Sequence, residues 1–357
     1  MNFLKIIASP TLNRIRRMFR ILLSQRLSPK EKSTRPFEFA LVRILGNDLV
    51  PRHSSSQTLN NLIFVLENEP EFPSCKKFYV VNRIFDKENE AEIIRQLESR
   101  GIDYIHIPFE PEEYKTKDWD TAPFGGNTYF SKSEFRSKSR DQLERIMSFV
   151  AEPKIRYAMN VNGARNAALE KGAAIAEWVL ALDGNCILTK EAFDTLRKSA
   201  FGYPFVPYLI LPMKRLVDNN DYFTSGETEY NTDEPQIALH RSAREKFDER
   251  FPYGFRDKAE LFLRLKVPGA WTRWVNPFWL PRIKSSVPER YLYKFSKTLI
   301  LRLSSGNALL DPTSANILRN RTRFTSILYT LQYLDKKYDC RNRELEHLIF
   351  EKQVEGS

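Results

Sequence analysis

From residue 37 the chain alternates short β-rich runs with segments of helical spacing, and that alternation admits few folds. Residues 39–45 (FALVRIL) form an apolar run ending in Gly46-Asn47-Asp48, and residues 57–66 (QTLNNLIFVL) carry apolar side chains three and four apart. Residues 77–84 (KFYVVNRI) repeat the strand pattern. Residues 89–100 place Ile93, Ile94 and Leu97 on one helix face until Gly101 stops them, and residues 103–109 (DYIHIPF) give a third strand. Strand, helix, strand, helix, strand with short joins predicts right-handed crossovers and a mostly parallel sheet with helices on both faces. Ligands of such sheets sit at the carboxyl ends of the strands. Asn47 and Asp48 after the first strand, and Asn82 and Arg83 at the end of the second, are therefore candidate ligand contacts. Ordinary turn chemistry is the alternative for each.

Residues 110–140 break the rhythm with polar and aromatic residues, among them Trp119, Phe124-Gly125-Gly126-Asn127 and Tyr129-Phe130. A join of that length reads as a lid or an insert, and a lid is the expectation. A helix follows from residue 141 to about 150. Asn162-Gly163-Ala164-Arg165-Asn166 then opens a helix of small residues over 163–176, and residues 177–182 (EWVLAL) read as a buried strand ending in Asp183-Gly184-Asn185. The small residues let that helix pack closely on the sheet. An acid at the carboxyl end of a central strand, followed by glycine, is where such a sheet can hold a metal ion against a diphosphate. A turn residue at Asp183 and a surface ion-pair partner at Arg165 are the plain alternatives.

These residues resemble a known family. Ala164-Arg165-Asn166, the small-residue helix, the strand and Asp183-Gly184-Asn185 look like the Ala-Arg-Asn and Asp-x-Asp region of GT-A glycosyltransferases, family 2 in particular. After Tyr253-Gly254, residues 256–265 (RDKAELFLRL) are similar to that family's Glu-Asp-x-Glu-Leu-x-x-Arg-Leu helix. The resemblance spans about residues 37–270 and implies a GT-A-like, Rossmann-like α/β fold. It also implies that Asp183 and Asn185 hold Mg2+ or Mn2+ on the diphosphate of a nucleotide sugar and that Arg165 pairs with phosphate. Asp257 would take the proton from an acceptor hydroxyl. Two positions depart from the pattern. Asn185 replaces an acid and compensates less of a cation's charge, and Arg256 stands where the family has Glu. Two other readings therefore stay open: a catalytically silent nucleotide-sugar or glycan-binding protein, and a nucleotidyltransferase. Asp257 and Glu260 also suit the first turn of a helix without any catalytic role.

The net charge of +11 invites a nucleic-acid reading that its distribution argues against. Residues 1–35 hold nine Lys/Arg against Glu31 alone, which leaves 47 basic and 44 acidic residues in the body. In the arm, Leu12, Ile15, Met18, Phe19 and Leu22 fall three and four apart between arginines, too broken for a membrane span. That pattern suits a helix lying on an anionic membrane surface, with a transit peptide or a docking helix as alternatives. The expected organisation is an arm and linker over 1–36, a donor-binding and catalytic domain over 37–270, and an aromatic, basic and helical region over 271–357. Three dispersed cysteines and four dispersed histidines give no disulfide framework and no zinc spacing. They fit a reducing, cytoplasmic location, peripheral to a membrane. Residues 271–303 mix aromatics with seven basic residues, Arg302 among them, and can meet a glycan or lipid-linked acceptor or form a helical cap. Residues 312–350 read as helical, with Ile317, Phe324, Ile327, Leu328, Leu331 and Leu334 buried and Arg319, Arg321 and Arg323 exposed or phosphate-facing.

Overall fold

The structure, a computed structural model, describes residues 35–126, 133–203, 206–216, 218–224, 234–273, 281, 283, 293–304 and 312–340. Contacts divide the chain after Pro36 into two units, and the second, from Phe37 onward, is described here. The basic arm lies outside the described residues, as do Trp274, Phe278, Trp279, Tyr291 and the side chains of Ile317, Arg319 and Arg321.

The first half follows the alternation. Strand β1 (Phe37–Leu45) leads to helix α1 (Gln57–Asn68), β2 (Cys75–Asn82), α2 (Lys87–Glu98) and β3 (Tyr104–Ile107). Helix α2 starts two residues before its apolar periodicity because the Asp86 carboxylate accepts the backbone N–H groups of Glu88 (3.1 Å) and Asn89 (3.2 Å). Helices α3 (Arg140–Val150), α4 (Glu152–Met159) and α5 (Val161–Ile175) follow, and then strand β4 (Ala176–Asp183). The small side chains of α5 do close-packing work. A Cβ on Gly172 would lie 2.6 Å from the Val179 side chain, so only glycine lets the helix come this near β4.

The second half adds β5 (Cys186–Ile187), α6 (Lys190–Gly202), β6 (Tyr208–Leu211), β7 (Met213–Arg215) and β8 (Gln236–His240). Helix α7 (Ala259–Arg264), β9 (Tyr293–Phe295), β10 (Ile300–Arg302) and α8 (Pro312–Lys337) complete the described elements that concern the site. Seven strands form one sheet in the order β3-β2-β1-β4-β8-β6-β9. β8 runs antiparallel to β4 and β6, and the other pairings are parallel. The fold is thus mixed α/β on a mostly parallel sheet, with β8 as the reversed strand. Period-two alternation sends Ala40, Val42 and Ile44 against α5, and Phe39 and Leu41 against α6 on the opposite face. A second sheet, β5-β10-β7, is made of strands two or three residues long. Segments beyond residue 270 complete both sheets, since β9 pairs with β6 and β10 with β5 and β7.

The stretch expected to be a lid is anchored instead. Tyr114, Trp119 and Phe135 are buried in a core shared with α3, α4 and α8. The buried Asp335 carboxylate on α8 accepts from the Tyr114 hydroxyl (2.6 Å), the Trp119 Nε1–H (3.2 Å) and Lys154 Nζ (2.7 Å). Those bonds fix the described part of the segment from its own aromatics; residues 127–132 lie outside the described residues. Among the described residues, no helix is long and apolar enough to cross a membrane.

Candidate active site

In the strand order, β1, β2 and β3 proceed to one side while β4 returns to the other, so the carboxyl ends of β1 and β4 flank a crevice at a topological switch point. Asn47, Asn82, Arg165, Asp183, Asn185 and Asp257 all line the cleft that opens there. The turn after β4 presses on β1 closely enough that a Cβ on Gly184 would stand 2.6 Å from the Ile44 carbonyl oxygen. Glycine at this position is therefore a steric requirement of the cleft floor.

Arg165, buried on α5, ties the distant segments together. Its Nη1 donates to Asn162 Oδ1 (2.8 Å) and Asp257 Oδ2 (2.8 Å), and its Nη2 to Asp183 Oδ1 (3.1 Å). The Asn162 amide also donates to the Asp257 backbone carbonyl (2.6 Å), and Asn166 donates to the Phe247 carbonyl (2.9 Å). The start of α5 is thus sewn to the loop that carries Asp257. Asp183 Oδ2 accepts from Gln236 Nε2 (3.1 Å) and Lys258 Nζ (3.5 Å). Burial opposes ionisation of Asp183, but Lys258, Arg165 and Arg302 outweigh it and hold the carboxyl well below the usual carboxylate range. Burial likewise disfavours the Arg165 cation, and Asp257 and Asp183 reverse that and raise its pKa. Burial pushes the Glu234 carboxyl up, and the nearby Asp257 and Asp183 charges add to the shift against Lys258. Lys258 Nζ lies 3.7 Å from Glu234.

The remaining expectations are placed differently. Asn47 and Asn82 face the cleft, but their amides hold backbone. Asn47 donates to the Arg83 carbonyl (2.7 Å) and accepts from Phe85 N–H (2.9 Å), and Asn82 donates to the Met159 carbonyl (2.8 Å). Asp48 and Arg83 do not line the cleft. Asp48 accepts from the Thr58 N–H (2.9 Å) and hydroxyl (2.7 Å) at the start of α1. Arg83 donates to the Tyr157 carbonyl (2.7 Å), and its guanidinium stacks 3.9 Å from the Tyr157 ring. The fork of Arg165, expected to meet phosphate, binds two carboxylates. Asp257 precedes α7, and Glu260 within that helix is buried, accepting from Asp248 N–H (2.8 Å) and Arg264 Nε (2.7 Å).

Arg52, His53, Glu234 and Lys258, which no sequence motif singles out, also line the cleft, as do Arg302 and Arg323 from beyond the expected donor domain. His53 Nδ1 accepts from the Leu49 N–H (3.1 Å). Burial, then Arg52, Arg302 and Arg323, push the imidazole down to about 3. No local pattern marks these side chains. They come from three loops, a strand end and a helix that only the tertiary fold brings together.

The Asp183 turn does not fit a divalent cation. Both Asp183 oxygens already receive N–H donors, Lys258, Arg165 and Arg302 supply positive charge around it, and Asn185 offers only a neutral oxygen. Among the described residues, no group of three or more His, Cys, Asp or Glu could hold a metal ion.

No family model and no curated protein matches the chain. Among solved structures, it is similar to TarS of S. aureus, with 10% identity and a TM-score of 0.33 over 60% of this chain and 31% of that one. It is also similar to mouse xyloside xylosyltransferase 1 in its apo form, with 10% identity and a TM-score of 0.24 over 57% of this chain and 66% of that one. The chain therefore spans less than two thirds of either structure's own length. Likeness at that level lends no weight to the chemistry, which rests on the strands and side chains described above.

Proposed function

We propose that this protein is a glycosyltransferase that takes a sugar from a nucleotide-linked donor bound in the β1–β4 cleft and passes it to a hydroxyl acceptor. The observation that carries the reading is the convergence on Arg165. Three segments that resemble one family's motifs, lying up to 92 residues apart, meet at this side chain in a single cleft. Arg165 is then a positioning residue that holds Asp257 at the cleft wall, with Gly254 N–H donating to the other carboxylate oxygen (3.3 Å). Asp257 takes the acceptor proton as the hydroxyl oxygen bonds to the anomeric carbon, and the carbon–oxygen bond to the diphosphate breaks with its electron pair leaving on oxygen.

Incubation with a panel of nucleotide sugars and glycan acceptors tests this. Sugar transfer with release of nucleoside diphosphate or monophosphate is the expected product pattern. Pyrophosphate release would instead make the protein a nucleotidyltransferase, and donor binding without any release would make it a silent binder.

A further inference from the structure

We infer that the diphosphate of the donor is held, and its departing charge neutralised, by a cluster of protein cations completed by the segments after residue 290, without a divalent metal ion. The identity of the anion rests on the proposed donor reading; the site rests on charge. Arg52, Lys258, Arg302 and Arg323 line the cleft with Arg165, and they face the carboxylates of Asp183, Glu234 and Asp257. Among the described residues, the lining thus holds more cations than carboxylates before any ligand enters. A divalent ion on Asp183 would enlarge that excess, whereas a diphosphate cancels it.

Arg165 and Arg323 each keep a buried Nε–H with no acceptor among the described residues, a state shared by Arg83 away from the cleft, so it is the charge of the lining that carries the anion assignment. Arg323 also reaches over the loop before Asp257: a Cβ on Gly254 would lie 3.2 Å from its Cδ. His53 stays neutral on the same wall, with Nδ1 accepting from the Leu49 N–H and a further hydrogen bond between the ring and the Asn47 backbone. Transfer then needs no metal. As the anomeric carbon–oxygen bond breaks, the electron pair moves onto a diphosphate oxygen already surrounded by guanidinium and ammonium groups.

Calorimetric titration of the full chain with inorganic pyrophosphate and with a nucleoside diphosphate tests this, each in EDTA and in Mg2+ or Mn2+. Equal affinity in EDTA and in metal is expected, with binding that weakens as salt rises. Arg323→Gln and Arg302→Gln should each weaken both ligands at least about tenfold, and Arg323→Lys should recover part of the loss. Should either glutamine variant fail to fold by circular dichroism, the wild-type comparison in EDTA still decides. Pyrophosphate binding in EDTA without nucleoside-diphosphate binding would sink the donor reading and leave the cation site standing. Nucleoside-diphosphate binding only with metal, or unweakened binding by both folded glutamine variants, would overturn the cation site alone. Absence of binding by either ligand in either condition overturns both.

Discussion

Two buried arginines, one on a strand of the sheet and one on a helix packed against it, do opposite things. Arg43, near the carboxyl end of β1, is fully enclosed. It donates to Glu69 and to the Cys186 carbonyl (2.7 Å), and Glu69 in turn accepts the Leu188 N–H (2.9 Å). Arg165 has the same guanidinium and nearly the same burial, yet its partners Asp183 and Asp257 keep 23% and 16% of their side-chain surface exposed in the cleft. A pair closed on every side by backbone can only hold the fold together. A pair whose acceptors still face water can also position chemistry.

The largest effect should come from opening the closed pair. Arg43→Met leaves the Glu69 charge buried without its main cation and should cost about 3–5 kcal/mol in urea unfolding. Arg165→Met should cost less, about 1–2 kcal/mol, because the carboxylates it releases keep water and Asp183 keeps Lys258. Equal losses for the two variants would erase the distinction.

The same contrast predicts a reversed pattern in turnover. Asp257→Asn should lower transfer by about 10²-fold or more with a nearly unchanged melting temperature, once donor and acceptor are in hand. Glu69→Gln should do the reverse, lowering stability and leaving the turnover of the folded fraction intact. Full activity in Asp257→Asn would remove Asp257 from the reaction.

Gly184→Ala probes the floor that the two networks share. Its methyl group meets the Ile44 carbonyl, so β1 and the Asp183 turn must separate at a cost of about 1–3 kcal/mol, and ligand binding should weaken with it.

The effect confined to acid conditions is pH sensitivity. His53 ionises near 6.5 in an unfolded chain and at about 3 in the fold, so the unfolded state binds more protons between those values. The stability linked to His53 is therefore lost as pH falls from about 6.5 towards 3. His53→Asn should flatten that part of a plot of urea midpoint against pH. Saturating pyrophosphate should flatten it too in the wild type, because a neighbouring anion favours the charged imidazole. An unchanged slope in the variant would show that other groups govern the acid limb.

Much of the first half of the fold is legible in the sequence because each strand and helix there is long enough to show its period. β1 through β4 sit within two or three residues of where alternation and helical spacing put them. The second sheet is invisible by the same criterion, since strands such as Cys186–Ile187 are too short to carry a period. The reversal of β8 is hidden too, because direction is set by partners and not by pattern. In the site, Arg165, Asp183 and Asp257 could be found because they stand in recognisable order. Asp48 and Arg83 follow the other alternative that the sequence leaves open, since polar residues after strands most often bond nearby backbone, as these two do. Arg302 is legible only as one cation among aromatics, and Arg323 only as one of three helix arginines, exposed or phosphate-facing, with nothing to say which cleft it lines.

The Leu303 N–H donates to the Asn185 carbonyl (2.8 Å), and β10 lies between β5 and β7. One wall of the cleft therefore depends on residues made long after the other. At ribosomal speeds of about 5–20 residues per second, β10 emerges roughly ten seconds after the Asp183 turn. During that interval the growing chain can fold its β3-β2-β1-β4 core while the pocket still lacks Arg302 and Arg323. A nascent chain in that state has a sheet without Arg302 or Arg323, and on the proposed reading it should gain ligand affinity only once β10 and α8 have docked.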